Sequence, residues 1–143
     1  MKPARVATAC VALAIFVFGC AMQGPRFEKA YAPPDHATIY VYRPYSYFCS
    51  LLQPTVTCGE DTARIGPGGY HAFVVPAGQK VACSVQGGET SDIVEIQAEP
   101  RVYYIKEDFG WGVLSGHPHL DPIDEDQAQN EIQHCCVEQS SLP

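Results

Sequence analysis

The sequence predicts an all-β sandwich of about seven strands with one short C-terminal helix. Three observations lead there. Glycine and proline number 12 each and Tyr plus Phe number 14, while charged residues make up only 17% of the chain, a composition poor in helix formers. Short apolar segments recur about every ten residues with Gly/Pro turns between them. Residues 37–43 are almost wholly β-branched or aromatic, and Pro44 stops them. A chain of 143 residues is one domain rather than two.

The first segment reads as an export signal. Lys2 and Arg5 precede Val6 to Phe18, 13 residues without a charge. A membrane-spanning helix needs about 20 apolar residues, so this run has the length of a signal core. Val17-Phe18-Gly19-Cys20 follows and resembles the lipobox of bacterial lipoproteins, departing from it at Phe18, where a small residue is usual. The resemblance implies cleavage before Cys20 and acylation of that cysteine with diacylglycerol and palmitate. Residues 1–19 are then the lipoprotein signal peptide, and the partner is the lipid bilayer, held through acylated Cys20. Ala21 in place of Asp implies sorting to the outer membrane, facing the periplasm. Residues 20–36 contain Gly24, Pro25, Pro33 and Pro34 without apolar periodicity and read as a tether, reaching about 50 Å if extended.

Residues 37–136 form the expected domain, and 137–143 a tail. In Ala37–Arg43, Ile39 and Val41 point one way and Tyr40 and Tyr42 the other. With two apolar faces the strand belongs at the centre of a sheet, its Tyr face partly covered. Tyr45, Tyr47 and Phe48 crowd the next stretch, which is either a binding patch or a loop folded back over the sandwich edge. Pro54–Cys58 is a short strand, Gly59–Asp61 a turn, and Ala63–Ile65 begins the return. Gly66–Gly69 is a turn cluster and no phosphate loop, because no Lys-Ser/Thr follows. Strands are expected at 70–75, 80–86, 91–97 and 101–106, with Phe109–Leu114 a last strand or an aromatic loop. Asp124 caps a helix over about 125–134, with Ile123 stapling against Ala128.

Removing Lys2 and Arg5 leaves 7 basic and 16 acidic residues, a formal charge of -9. That field excludes nucleic acid, whose binding needs Lys and Arg to displace phosphate counterions. Cys10 leaves with the signal, so Cys49, Cys58, Cys83, Cys135 and Cys136 are the disulfide candidates in an oxidising compartment. The short Cys49–Cys58 loop is the favoured pair, and Cys83 with Cys135 or Cys136 would pin the helix to the sheet. Neighbouring Cys135 and Cys136 are not expected to pair, because the ring is strained.

His117-Pro118-His119 with Asp121 is the nearest thing to a metal-ligand set. Its spacing is not that of a helical zinc site, and Pro118 extends the backbone, so a surface loop is the reading adopted. No Gly-x-Ser-x-Gly is present. No cofactor and no catalytic residue is expected.

The opening motif Ala37-x-Ile39-Tyr40-Val41-Tyr42-Arg43-Pro44, with Gly69-Tyr70, Val75-Pro76-x-Gly78, Tyr103-Tyr104-Ile105 and the acidic helix ending in Cys, resembles a domain-of-unknown-function family of small bacterial lipoproteins with a PEGA-like β-sandwich. The resemblance implies a non-catalytic binding, adaptor or structural module with an envelope protein partner. The alternative is a metal-binding or hydrolytic periplasmic protein using the His/Asp loop.

Overall fold

The computed structural model describes residues 24–28, 30–45, 51–87, 90–110 and 116–142. Its elements are β1 (His36–Arg43), β2 (Thr55–Cys58), β3 (Asp61–Arg64), β4 (Gly69–Pro76), β5 (Lys80–Gly87), β6 (Thr90–Gln97), β7 (Val102–Gly110), β8 (His117–Ile123), α1 (Glu125–Cys135) and β9 (Val137–Glu138). Two sheets form, one in the order β8-β7-β1-β4-β9 and one in the order β3-β2-β5-β6. In the larger sheet β1 is antiparallel to β4 and parallel to β7. The all-β sandwich with a short C-terminal helix is what the strand spacing predicts.

Alternation along β1 builds two cores. Ile39 and Val41 face the smaller sheet and pack with Val56, Phe73, Val85 and Ile105. Tyr40 and Tyr42 face the other way and are also buried, under α1. Tyr40 stacks on Tyr104 at 5.7 Å, and Phe27 meets Tyr40 and Tyr70 edge-on at 5.4 and 5.7 Å. The molecule is therefore three layers deep: small sheet, large sheet, helix. Helix α1 starts where the sequence places it. The Asp124 carboxylate accepts from Gln127 N at 3.1 Å, and Ala128 and Ile132 form the buried stripe.

Four expectations change. Residues of the expected tether belong to the fold: Phe27 is 6% exposed, Arg26 bridges Val137, and a Cβ at Gly24 would collide with the Glu138 carbonyl. The tail is also used, because β9 pairs with β4, Ser141 bridges Ala63, and Leu142 N donates to Thr62 O at 2.7 Å. The segment read as a histidine loop is strand β8, which tolerates its two prolines because they sit on a sheet edge. Strand β7 runs on to Gly110.

The cysteine pairing also differs. Cys58 bonds Cys83, not Cys49. The two stand directly opposite on β2 and β5 with Cα atoms 4.2 Å apart, the close spacing of an antiparallel pair that exchanges no ladder hydrogen bonds. Cys83 faces the inter-sheet core, while α1 lies across the far side of the large sheet, so no bond from Cys83 pins the helix. Cys135 and Cys136 bond to each other. Cys135 is the last residue of the helix and Cys136 lies beyond it in extended backbone (φ -129°, ψ 148°).

Candidate functional site

Strands β1 and β7 run parallel and end side by side, at Arg43 and at Glu107–Gly110. Arg43 is the largest fully buried side chain among the described residues, at 2% exposure. Its Nη1 donates to Leu52 O at 2.7 Å, and its guanidinium lies 4.3 Å above the Phe109 ring. It thereby ties the returning limb of the segment after β1 back to the sheet.

Glu107 Oε1 stands 3.9 Å from Arg43 Nη1, too far for a hydrogen bond, and neither carboxyl oxygen has a hydrogen-bond partner. Burial pushes Glu107 up to about 8, against a smaller downward pull from Arg43. At neutral pH the buried acid thus holds its proton. Beside this pair lies a cleft of about 230 Å³ with Pro44, Tyr45, Asp108 and Phe109 among its walls. Because Arg43 and Glu107 have almost no exposed surface, they shape the end of the sheet instead of offering charge to a ligand.

The histidines of β8 lie on its exposed side with Asp121, alternating with buried Pro118 and Leu120. Asp92 of β6 reaches across from the other sheet. Its Oδ2 accepts from Leu120 N at 2.9 Å and lies 2.5 Å from His119 Nδ1, while its Oδ1 accepts from Ile93 N at 2.9 Å. His119 Nε2 lies 3.1 Å from Asp121 Oδ1. The Leu120 N–H first, then Ile93 N–H and His119, hold Asp92 below its ordinary value, against a penalty from burial.

So His119 and Asp121 do come together, but both His119 nitrogens are taken by carboxylates. Among the described residues no group of three His, Cys, Asp or Glu side chains is placed to hold a metal ion. His134 Nδ1 lies 2.6 Å from Asn130 O, within its own helix. The arrangement works as a latch between the two sheets.

It also closes an edge. The Leu120 N–H points away from β7, so by alternation positions 118 and 122 face the same free side. Both are proline and have no N–H, and Leu120 is capped by Asp92. All three outward donors of this edge strand are thereby removed.

Tyr45 is 61% exposed, and the following described residues Leu51 and Leu52 are 91% and 44% exposed. Cys20, Tyr47, Phe48 and Cys49 lie outside the described residues. Sequence reading missed His71. It is buried, its Nδ1 2.6 Å from Gln139 O and its Nε2 3.3 Å from Asp61 Oδ2, and it fastens the C-terminal segment to the large sheet. Its partners lie 68 and 10 residues away, so no local pattern announces it.

No protein-family model, no curated protein and no solved structure matches this chain.

Proposed function

We propose that the protein is a lipid-anchored lipoprotein of the bacterial envelope, acting as a non-catalytic binding or structural module at the periplasmic face of the outer membrane. The observation that carries this reading is Val17-Phe18-Gly19-Cys20 at the end of a charge-free run of 13 residues. The cross-strand Cys58–Cys83 disulfide supports an oxidising compartment. The side chains best placed for chemistry are occupied in holding the fold, Asp92 and His119 between the sheets and Arg43 on Leu52 and Phe109. That supports a binding or structural role over a catalytic one.

Gly24 lies against the Glu138 backbone, and Cys20 stands four residues before it in the sequence. Four residues span at most about 14 Å, which holds the domain against the bilayer. Cys20→Ser tests the reading. It is expected to abolish palmitate incorporation and to release the protein from the membrane fraction. Continued palmitate labelling of the Cys20→Ser chain would sink the proposal.

A further inference from the structure

The two disulfides differ in reach and in burial. Cys58–Cys83 joins two strands across 25 residues, and both cysteines are fully buried between the sheets. Cys135–Cys136 joins neighbours in sequence, at the point where α1 gives way to β9. Cys136 belongs to the helix-side core at 4% exposure, while Cys135 is only half-buried. A fold and a disulfide stabilise each other to the same extent. The folded sheet holds Cys58 beside Cys83 and unfolding separates them, so the structure reinforces that bond. Adjacent cysteines stay adjacent in the unfolded chain. Bonding them constrains it little, and the fold returns little protection. The reduced state is also provided for. Cys136 Sγ lies 3.7 Å from the Arg43 carbonyl, so a thiol formed there has an acceptor inside the core.

The pair stands at the root of the segment that joins the two chain ends. Directly after it, Val137 N donates to Gly68 O at 3.0 Å, Glu138 N to Pro25 O at 2.8 Å and Gln139 N to Tyr70 O at 2.7 Å. The bridge between Arg26 and Val137 ties the N-terminal chain to the same strand. The bond between Cys135 and Cys136 thus restrains the turn on which this docking depends.

We propose that Cys135–Cys136 is a thiol-exchange site that cycles between disulfide and dithiol with a dithiol partner, while Cys58–Cys83 stays closed as a structural bond. A thiolate of the partner attacks Cys135 Sγ, the bond to Cys136 breaks, and Cys136 leaves as a thiolate that takes up a proton. The partner's second thiol then breaks the mixed disulfide and frees Cys135 as a thiol. The cystine gains two electrons and two protons, and the partner departs as its own disulfide. A partner with one thiol fares worse. In its mixed disulfide Cys136 is one residue away and closes the ring again, whereas a second thiol on the partner competes as an intramolecular attacker. Opening the ring loosens the turn between α1 and β9, so the docking of residues 24–28 and 137–142 follows the redox state.

The test treats the full folded chain with increasing dithiothreitol, without denaturant, then alkylates it and maps each cysteine by mass spectrometry. Cys135 and Cys136 are expected to become labelled at a concentration about tenfold lower than Cys58 and Cys83. Glutathione at the same thiol concentration is expected to leave most of the pair closed. In the partly reduced protein, amide exchange is expected to rise at 137–139 and 26–28 but not in β2 and β5. Cys135→Ser/Cys136→Ser should show that faster exchange with no reductant present. Labelling of all four cysteines together, or of Cys58 and Cys83 first, overturns the inference. So does recovery of Cys135 and Cys136 as thiols that oxidised dithiothreitol does not close. Equal opening by glutathione overturns the assignment of a dithiol partner, and exchange that does not change on reduction overturns the coupling to the chain ends.

Discussion

Glu107 shows how one buried residue couples the fold to pH. Its carboxyl has no hydrogen-bond partner, and burial lifts it from 4.5 to about 8. Between those values the folded protein keeps a proton that the unfolded chain has released. The group's favourable contribution is complete below about 4.5 and is lost as pH rises through about 8. Glutamine copies the protonated acid in shape and cannot ionise. Glu107→Gln should therefore match the wild type near pH 4. Above that its advantage in urea-unfolding free energy should grow by about 1.4 kcal/mol per pH unit. By pH 8 the gap should be on the order of 4 kcal/mol. A stability difference that does not change with pH would mean that Glu107 is ionised in the fold and paired with Arg43. Sequence gave no warning of this pair. Arg43 was legible as a strand end, the strand expected at 101–106 stopped short of Glu107, and only the parallel alignment of β1 with β7 puts the two together.

Strand β8 carries its argument at the level of the element. It lies at the edge of the large sheet and would offer a row of N–H groups to any passing strand. Pro118 and Pro122 delete two of them, and Asp92 takes the third at Leu120. The same carboxylate holds His119, so one side chain fastens β6 to β8 across the two sheets. Removing it leaves a partly buried N–H without its acceptor and a histidine without one of its two carboxylates. Asp92→Ala should lower the unfolding free energy by about 1–3 kcal/mol. It should also increase self-association on heating, measured by light scattering, because the edge reopens. Unchanged stability and scattering would show that the latch contributes nothing. The prolines explain why the sequence misled here. They argue against a central strand, which is correct, and that reading passed too easily into a loop. An edge strand satisfies the same residues.

For the molecule as a whole, what was legible followed periodicity. Alternation in Ala37–Arg43 implied two covered faces and a central position, and both are present, because a strand with tyrosines on one side and Ile/Val on the other must bury both. The capping signal at Asp124 placed the helix. What stayed hidden was long-range and carried by isolated residues: the partner of Cys58, the role of His71, and the use of both chain ends. Phe27 is the clearest case. Among glycines and prolines it has no periodic neighbours, and the stretch reads as a tether. In the fold it fills the space between Tyr40 and Tyr70 on the outer face of the large sheet, at 6% exposure. Arg26 and Pro25 then align the chain beside β9. This N-terminal segment is thus part of the hydrophobic core. Phe27→Ala opens a cavity in that layer and should cost about 3 kcal/mol, read as a lower urea midpoint. Phe27→Leu, which keeps most of the volume, should lose much less. The same Ala variant should free residues 24–36 to behave as the flexible spacer that their composition suggests, seen as faster amide exchange there than at β1 and β7. An unchanged midpoint together with unchanged exchange would return the segment to the status of a tether.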